Sequence, residues 1–80
     1  MLQRVREIIA DVTGNAIQAV NENSGHETVD SWDSLAQINI IVTIESEFGV
    51  TFSPEEMHSL NTVRGICEAL QRTSAKAGLA

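Results

Sequence analysis

The chain has 80 residues, 42% of them hydrophobic, with 5 Lys and Arg set against 11 Asp and Glu for a formal charge of −6. That allows one small domain with a modest core. It excludes a phosphate-tracking nucleic-acid surface, because Arg4, Arg6, Arg64, Arg72 and Lys76 are scattered and form no basic patch.

A first helix is expected from Leu2 to Thr13, where Leu2, Val5, Ile8, Ile9 and Val12 fall at helical spacing and Gly14 provides the stop. Residues 14–32 hold no sustained period and are rich in Asn, Ser, Gly, Glu and Asp, so they read as a long loop. Ala16, Ile17 and Val20, with Trp32 at the far end, are its expected anchors on the core. Asp33 is a good N-cap, and a strongly apolar stretch runs from Leu35, the first expected core residue, to Phe48. On a helical wheel Ala36, Asn39, Thr43, Ser46 and Glu47 share one side. The apolar arc opposite, interrupted by Gln37 and Glu45, is wider than a surface helix needs. Such a helix is either packed by neighbours on two sides or leaves apolar surface for a partner.

Gly49 closes that helix. Ser53-Pro54-Glu55-Glu56 forms a capping box with Pro at the first helical position, opening a short helix that ends near Leu60. Thr62 caps a last helix with Val63, Ile66, Cys67 and Leu70 on one face. From Thr73 the pattern is lost. The expected architecture is an all-α, four-helix bundle of three main helices and one short one, covering 1–72, with 73–80 as a flexible C-terminal tail.

Enzyme constellations are sparse. His26 and His58 have no Ser or Cys placed beside them as a nucleophile and read as solvated side chains. Cys67, the single cysteine, sits on an apolar stripe and reads as an inert thiol, with no disulfide or Cys-rich zinc cluster available. A calcium loop drawn through Asp11, Thr13, Asn15 and Glu22 fails because Ala16 stands where a sharp turn needs Gly. Neither a catalytic nor a metal site is expected. Charges break any signal-peptide core at the start of the chain, and no apolar run is long enough to cross a membrane, so the expected setting is the cytoplasm.

The one tight constellation is Trp32-Asp33-Ser34-Leu35. Alone it is ordinary helix-start chemistry. In context it follows a long irregular loop and opens the central helix, which ends in Ile44-Glu45-Ser46-Glu47-Phe48-Gly49-Val50, before a short capped helix and a final one. The whole arrangement, from about Leu2 to Arg72, resembles the acyl carrier protein and peptidyl carrier family. The resemblance implies a four-helix bundle of the acyl-carrier type. It also implies a 4′-phosphopantetheine arm, covalently attached at Ser34, that holds acyl or aminoacyl intermediates as thioesters. Asp33 would cap the helix and help the transferase and its Mg²⁺ engage, and Leu35 would fix the helix to the core and offer partners an apolar contact. The implied partners are a phosphopantetheinyl transferase and the acyl- or aminoacyl-loading and chain-modifying enzymes of a fatty-acid, polyketide or related pathway. The carrier is expected to be a monomer without catalytic activity of its own, in contact with neither nucleic acid nor membrane.

The sequence departs from many fatty-acid carriers at two places. Ala36, Gln37 and Asn39 stand where acidic residues often follow the motif, and Ser31-Trp32 replaces a Gly often found before it. The expectation is therefore a free-standing, specialised carrier whose partner surface comprises Trp32, Leu35, Ile38, Asn39, Glu45 and Glu47. The alternative is a non-catalytic helical interaction domain that uses the apolar and acidic faces of the central helix.

Overall fold

Three α-helices carry the fold in the computed structural model, which describes residues 1–78: α1 (Leu2–Thr13), α2 (Ser34–Phe48) and α3 (Val63–Gly78), with 3₁₀ turns at Ile17–Ala19 and Pro54–Ser59. The side chains of His58 and of residues 74–80 lie outside the described residues, so the solvated reading of His58 is left there.

α1 buries Val5, Ile8, Ile9 and Ala10 and stops at Gly14, whose left-handed φ of 73° costs a residue without a Cβ nothing. α2 is rich in β-branched residues, each giving up about 0.5 kcal/mol of helix propensity. Burial of Ile40, Ile41 and Ile44 in the core that α2 shares with α1 returns about 1.5–3 kcal/mol per side chain, so packing decides. α3 contributes Val63, Ile66, Ala69 and Leu70, and Phe52 and Leu60 close the end of the core.

The expected short third helix is a 3₁₀ segment, although its capping box forms: the Glu56 carboxylate accepts the Ser53 N–H at 3.1 Å and the Ser53 hydroxyl at 3.0 Å. It approaches α3 closely: a Cβ on Gly65 would stand 1.8 Å from the Ser59 carbonyl oxygen. α3 itself starts where expected, with the Gly65 N–H donated to the Thr62 hydroxyl at 2.9 Å. It then runs past Arg72 to Gly78, where loss of the apolar pattern suggested a tail from Thr73. Ala75, Lys76 and Ala77 are strong helix formers that need no packing to continue a helix already nucleated. Residues 79–80 lie outside the described residues.

The long loop is held largely by polar ties. Arg6 donates to the carbonyls of Val20 at 2.5 Å and Ile17 at 3.1 Å. Asn15 donates to the Asp30 carbonyl at 2.8 Å and to the Thr13 hydroxyl at 2.9 Å. A lone bridge pairs Gly25 with Thr62, with His26 N–H on Asn61 and Val63 N–H on Ser24. Of the expected anchors, Val20 and Trp32 are buried, Ile17 is half-buried and Ala16 is exposed; Val29 is a buried anchor the pattern did not single out. Thr13 and Asn15 serve these ties. No helix among the described residues is long and apolar enough to cross a membrane.

Candidate functional site

Asp33 adopts extended backbone and accepts the Ala36 N–H on its side chain at 2.9 Å, while its carbonyl accepts the Gln37 N–H at 2.8 Å. Both bonds are made within one turn, which is why Asp at this position starts the helix. Ser34 is therefore the first residue of α2. It is exposed, and among the described residues its hydroxyl takes part in no hydrogen bond. Asp33 occupies the third N–H of the helix, leaving those of Ser34 and Leu35 at the positive end, beside the hydroxyl. A phosphodiester on Ser34 fits that charge.

The chain reaches this cap through Ser31, whose φ of 66° is left-handed for a non-glycine residue. The strain is of the order of 1 kcal/mol. Trp32 follows and turns inward. It is 4% exposed, and its indole N–H donates to Gln37 Oε1 at 2.5 Å. The ring, expected on the partner surface, packs into the core, and its one polar atom is satisfied within the fold. Gln37 in turn donates to the Leu60 carbonyl at 2.8 Å, so one side chain joins the loop, α2 and the end of the second 3₁₀ turn.

Leu35 is 69% exposed, and Ile38 and Val42 are 59% and 58% exposed. Leu35 is thus not the first core residue; the first buried position of α2 is Ala36. The fully buried side of α2 is centred on Ile40 and Ile44, half a turn away. Asn39 is exposed on the same outward face. The two expected acidic contacts are used inside the fold. Glu45 accepts the Phe52 N–H at 2.9 Å. Glu47 takes the Arg4 guanidinium in a two-pronged ion pair with α1, one prong at 2.6 Å. The hydrogen bonds from Arg4 hold the Glu47 carboxyl below the usual carboxylate range, and Glu47 and Glu7 hold Arg4 above the usual guanidinium one.

Beside Ser34 opens a groove of about 580 Å³, with Trp32, Gln37 and Ile38 on one side and His26, Met57 and Asn61 on the other. Its lining mixes polar and apolar side chains, as ligand grooves commonly do. His26, read as merely solvated, lines this groove while its backbone N–H holds Asn61. Sequence reasoning missed Gln37, one of whose partners, the Leu60 carbonyl, lies 23 positions along the chain. Cys67 is half-buried on α3, and burial, with Glu22 and Glu68 adding to it, pushes its thiol up.

The sequence model of the phosphopantetheine attachment site family matches residues 3–70. An acyl carrier protein of Thermosynechococcus vestitus is 32% identical over 94% of this chain and 93% of its own length. An acyl carrier protein of an Arthrobacter species is 38% identical over 79% of this chain and 78% of its own. Polyketide-8 synthase acyl carrier protein 2 of Streptomyces avermitilis is 29% identical over 85% and 78%. An exposed serine on a capped helix end, a groove beside it and a family match over most of the chain agree: the chain belongs to the phosphopantetheine-binding acyl carrier family, with 4′-phosphopantetheine as its covalent cofactor.

Proposed function

We propose that Ser34 carries the arm and that the domain is a non-catalytic monomeric carrier acting in the cytoplasm. The observation that supports this most directly is the exposed, unengaged Ser34 hydroxyl at the positive end of α2, at the mouth of the groove. The arm supplies a terminal thiol that holds an acyl group as a thioester. The chain's own residues do the rest: Asp33 fixes the helix end, Ser34 presents the attachment oxygen, and the groove gives the arm a surface to lie along. Tethering keeps the cargo at high effective concentration for each enzyme the carrier meets.

A phosphopantetheinyl transferase and acyl- or aminoacyl-loading and chain-modifying enzymes are the partners this reading requires. A specialised pathway of the polyketide or aminoacyl type is favoured over general fatty-acid synthesis. Two findings support that choice: α2 has no carboxylate in its first two turns, and a polyketide-synthase carrier is among the similar proteins. Intact mass before and after incubation with coenzyme A, Mg²⁺ and a broad-specificity transferase tests the attachment. The expected result is a gain of one phosphopantetheine unit that is absent in Ser34→Ala, whose fold persists because Asp33 still caps α2. No gain, with a transferase active on another carrier, would leave a helical interaction domain. Faster loading by primary fatty-acid enzymes than by any pathway-specific enzyme would overturn the specialised assignment.

A further inference from the structure

We infer that Gln37 bars the cargo of this carrier from the helical core, and that the groove beside Ser34 selects a short acyl group bearing a hydroxyl, oxo or amino substituent over an alkyl chain. The inference rests on the carrier reading and adds the chemical class of the substrate. An alkyl chain tethered at Ser34 is stabilised by every methylene it buries, so it enters the core wherever an entrance opens readily. Along the groove the entrance is bordered by Trp32, at the end of the loop, and by Leu60, at the end of the second 3₁₀ turn. One side chain fastens both to α2: Gln37 accepts the Trp32 indole N–H at 2.5 Å and donates to the Leu60 carbonyl at 2.8 Å. Trp32 and Leu60 are both buried, so parting either from α2 exposes apolar surface and leaves a polar group unpaired. The turn cannot yield toward α3, since the space between Ser59 and Gly65 would not take even a Cβ.

The groove itself suits a polar occupant. The His26 imidazole and the Asn61 amide line it, and among the described residues neither side chain has a hydrogen-bond partner. The His26 N–H is donated to the Asn61 carbonyl beside the Gly25–Thr62 bridge, so the two side chains stand on one fixed wall. Both groups donate and accept, which serves a hydroxyl, an oxo or an amino group alike. A methylene chain uses neither. Ile38 and Met57, both exposed, leave apolar surface for the carbons of a short acyl group. At about 580 Å³ the groove has the size of a site for one small molecule, and the arm and its acyl group share it. The acyl group is therefore short.

The test loads the chain with butyryl, octanoyl or 3-hydroxybutyryl groups. A broad-specificity transferase moves the acyl-phosphopantetheine unit of each acyl-coenzyme A onto the Ser34 oxygen, releasing adenosine 3′,5′-bisphosphate. Intact mass then follows cleavage of the thioester by hydroxylamine near neutral pH, and each rate is divided by that of the same acyl-coenzyme A. Octanoyl and butyryl are expected to react within about twofold of each other, and octanoyl should leave the urea midpoint unchanged, whereas a chain held only by the folded core raises it. The 3-hydroxybutyryl thioester should be cleaved about fivefold more slowly than the butyryl one, and His26→Ala with Asn61→Ala should abolish that difference. Gln37→Ala opens the tie, so octanoyl on this variant should be sheltered about fivefold and raise its midpoint. Gln37→Met, which keeps the bulk and loses both bonds, gives the same reading if far-UV circular dichroism shows Gln37→Ala unfolded. Octanoyl sheltered in the wild type, octanoyl left unsheltered in a folded Gln37 variant, or 3-hydroxybutyryl cleaved as fast as butyryl overturns the inference and leaves the carrier intact. A wild-type chain that gains no mass, with a transferase active on another carrier, overturns the carrier reading and the cargo assignment together.

Discussion

Gln37 shows how much one uncharged side chain holds in a domain this small. Its amide accepts from Trp32 and donates to the Leu60 carbonyl, satisfying two polar groups that would otherwise be shut away from water. Gln37→Leu keeps the size and removes both bonds, with an expected loss of about 1–3 kcal/mol for the groups left unpaired. Urea unfolding checks the loss, and the fluorescence of Trp32, the sole tryptophan, should change as its N–H loses its partner. Sequence reading ranks residues by how local their partners are. Asp33 was legible because both its bonds fall within the next turn. Gln37 read as an interruption of an apolar run because the carbonyl it holds is 23 positions away. Leu35 misled for another reason: on so wide an apolar arc, periodicity cannot say which edge faces inward.

Among elements, α1 and α2 have the bounds that their caps and glycines announce, and the excess breadth of the α2 arc is resolved in favour of exposed apolar surface. The loop of residues 14–32 was legible as irregular. Its fastening by Arg6, Asn15 and the Gly25–Thr62 bridge was not, because backbone carbonyls at distant positions leave no trace in composition. The second 3₁₀ turn and α3 make the sharpest case of packing overruling propensity. Ala in place of Gly65 would gain about 1 kcal/mol in an exposed helix interior. Here the added Cβ would lie 1.8 Å from the Ser59 carbonyl oxygen, a backbone atom that has to move with its whole turn. Gly65→Ala is therefore expected to destabilise by about 1–3 kcal/mol, read as a lower urea midpoint.

For the molecule as a whole, the excess of acid over base makes each arginine valuable. Arg6 is used on loop carbonyls, and Arg4 joins α1 to α2 through Glu47. Glu47 binds its proton less readily in the folded chain than in the unfolded one. The stability it contributes is therefore complete above the ordinary glutamate value of about 4.5, and is lost as pH falls through the lower, folded value. Glu47→Gln should lower stability at neutral pH, and the difference should disappear once Glu47 is protonated in the wild type. Urea unfolding across the acid range checks this. Because both partners face solvent, added salt should shrink the difference.

Cys67 gives the molecule a division of labour between sulfurs. Its thiol is half-buried and disfavours the thiolate, and the thiolate is the form that attacks electrophiles and exchanges with thioesters. The thiol at the end of an unloaded arm has no such shelter. A cargo passed from enzyme to enzyme is thus protected from capture by the carrier's own side chain. An alkylating reagent at neutral pH is expected to modify the free thiol of an unloaded arm faster than Cys67, which time-resolved intact mass would read as a first, fast addition.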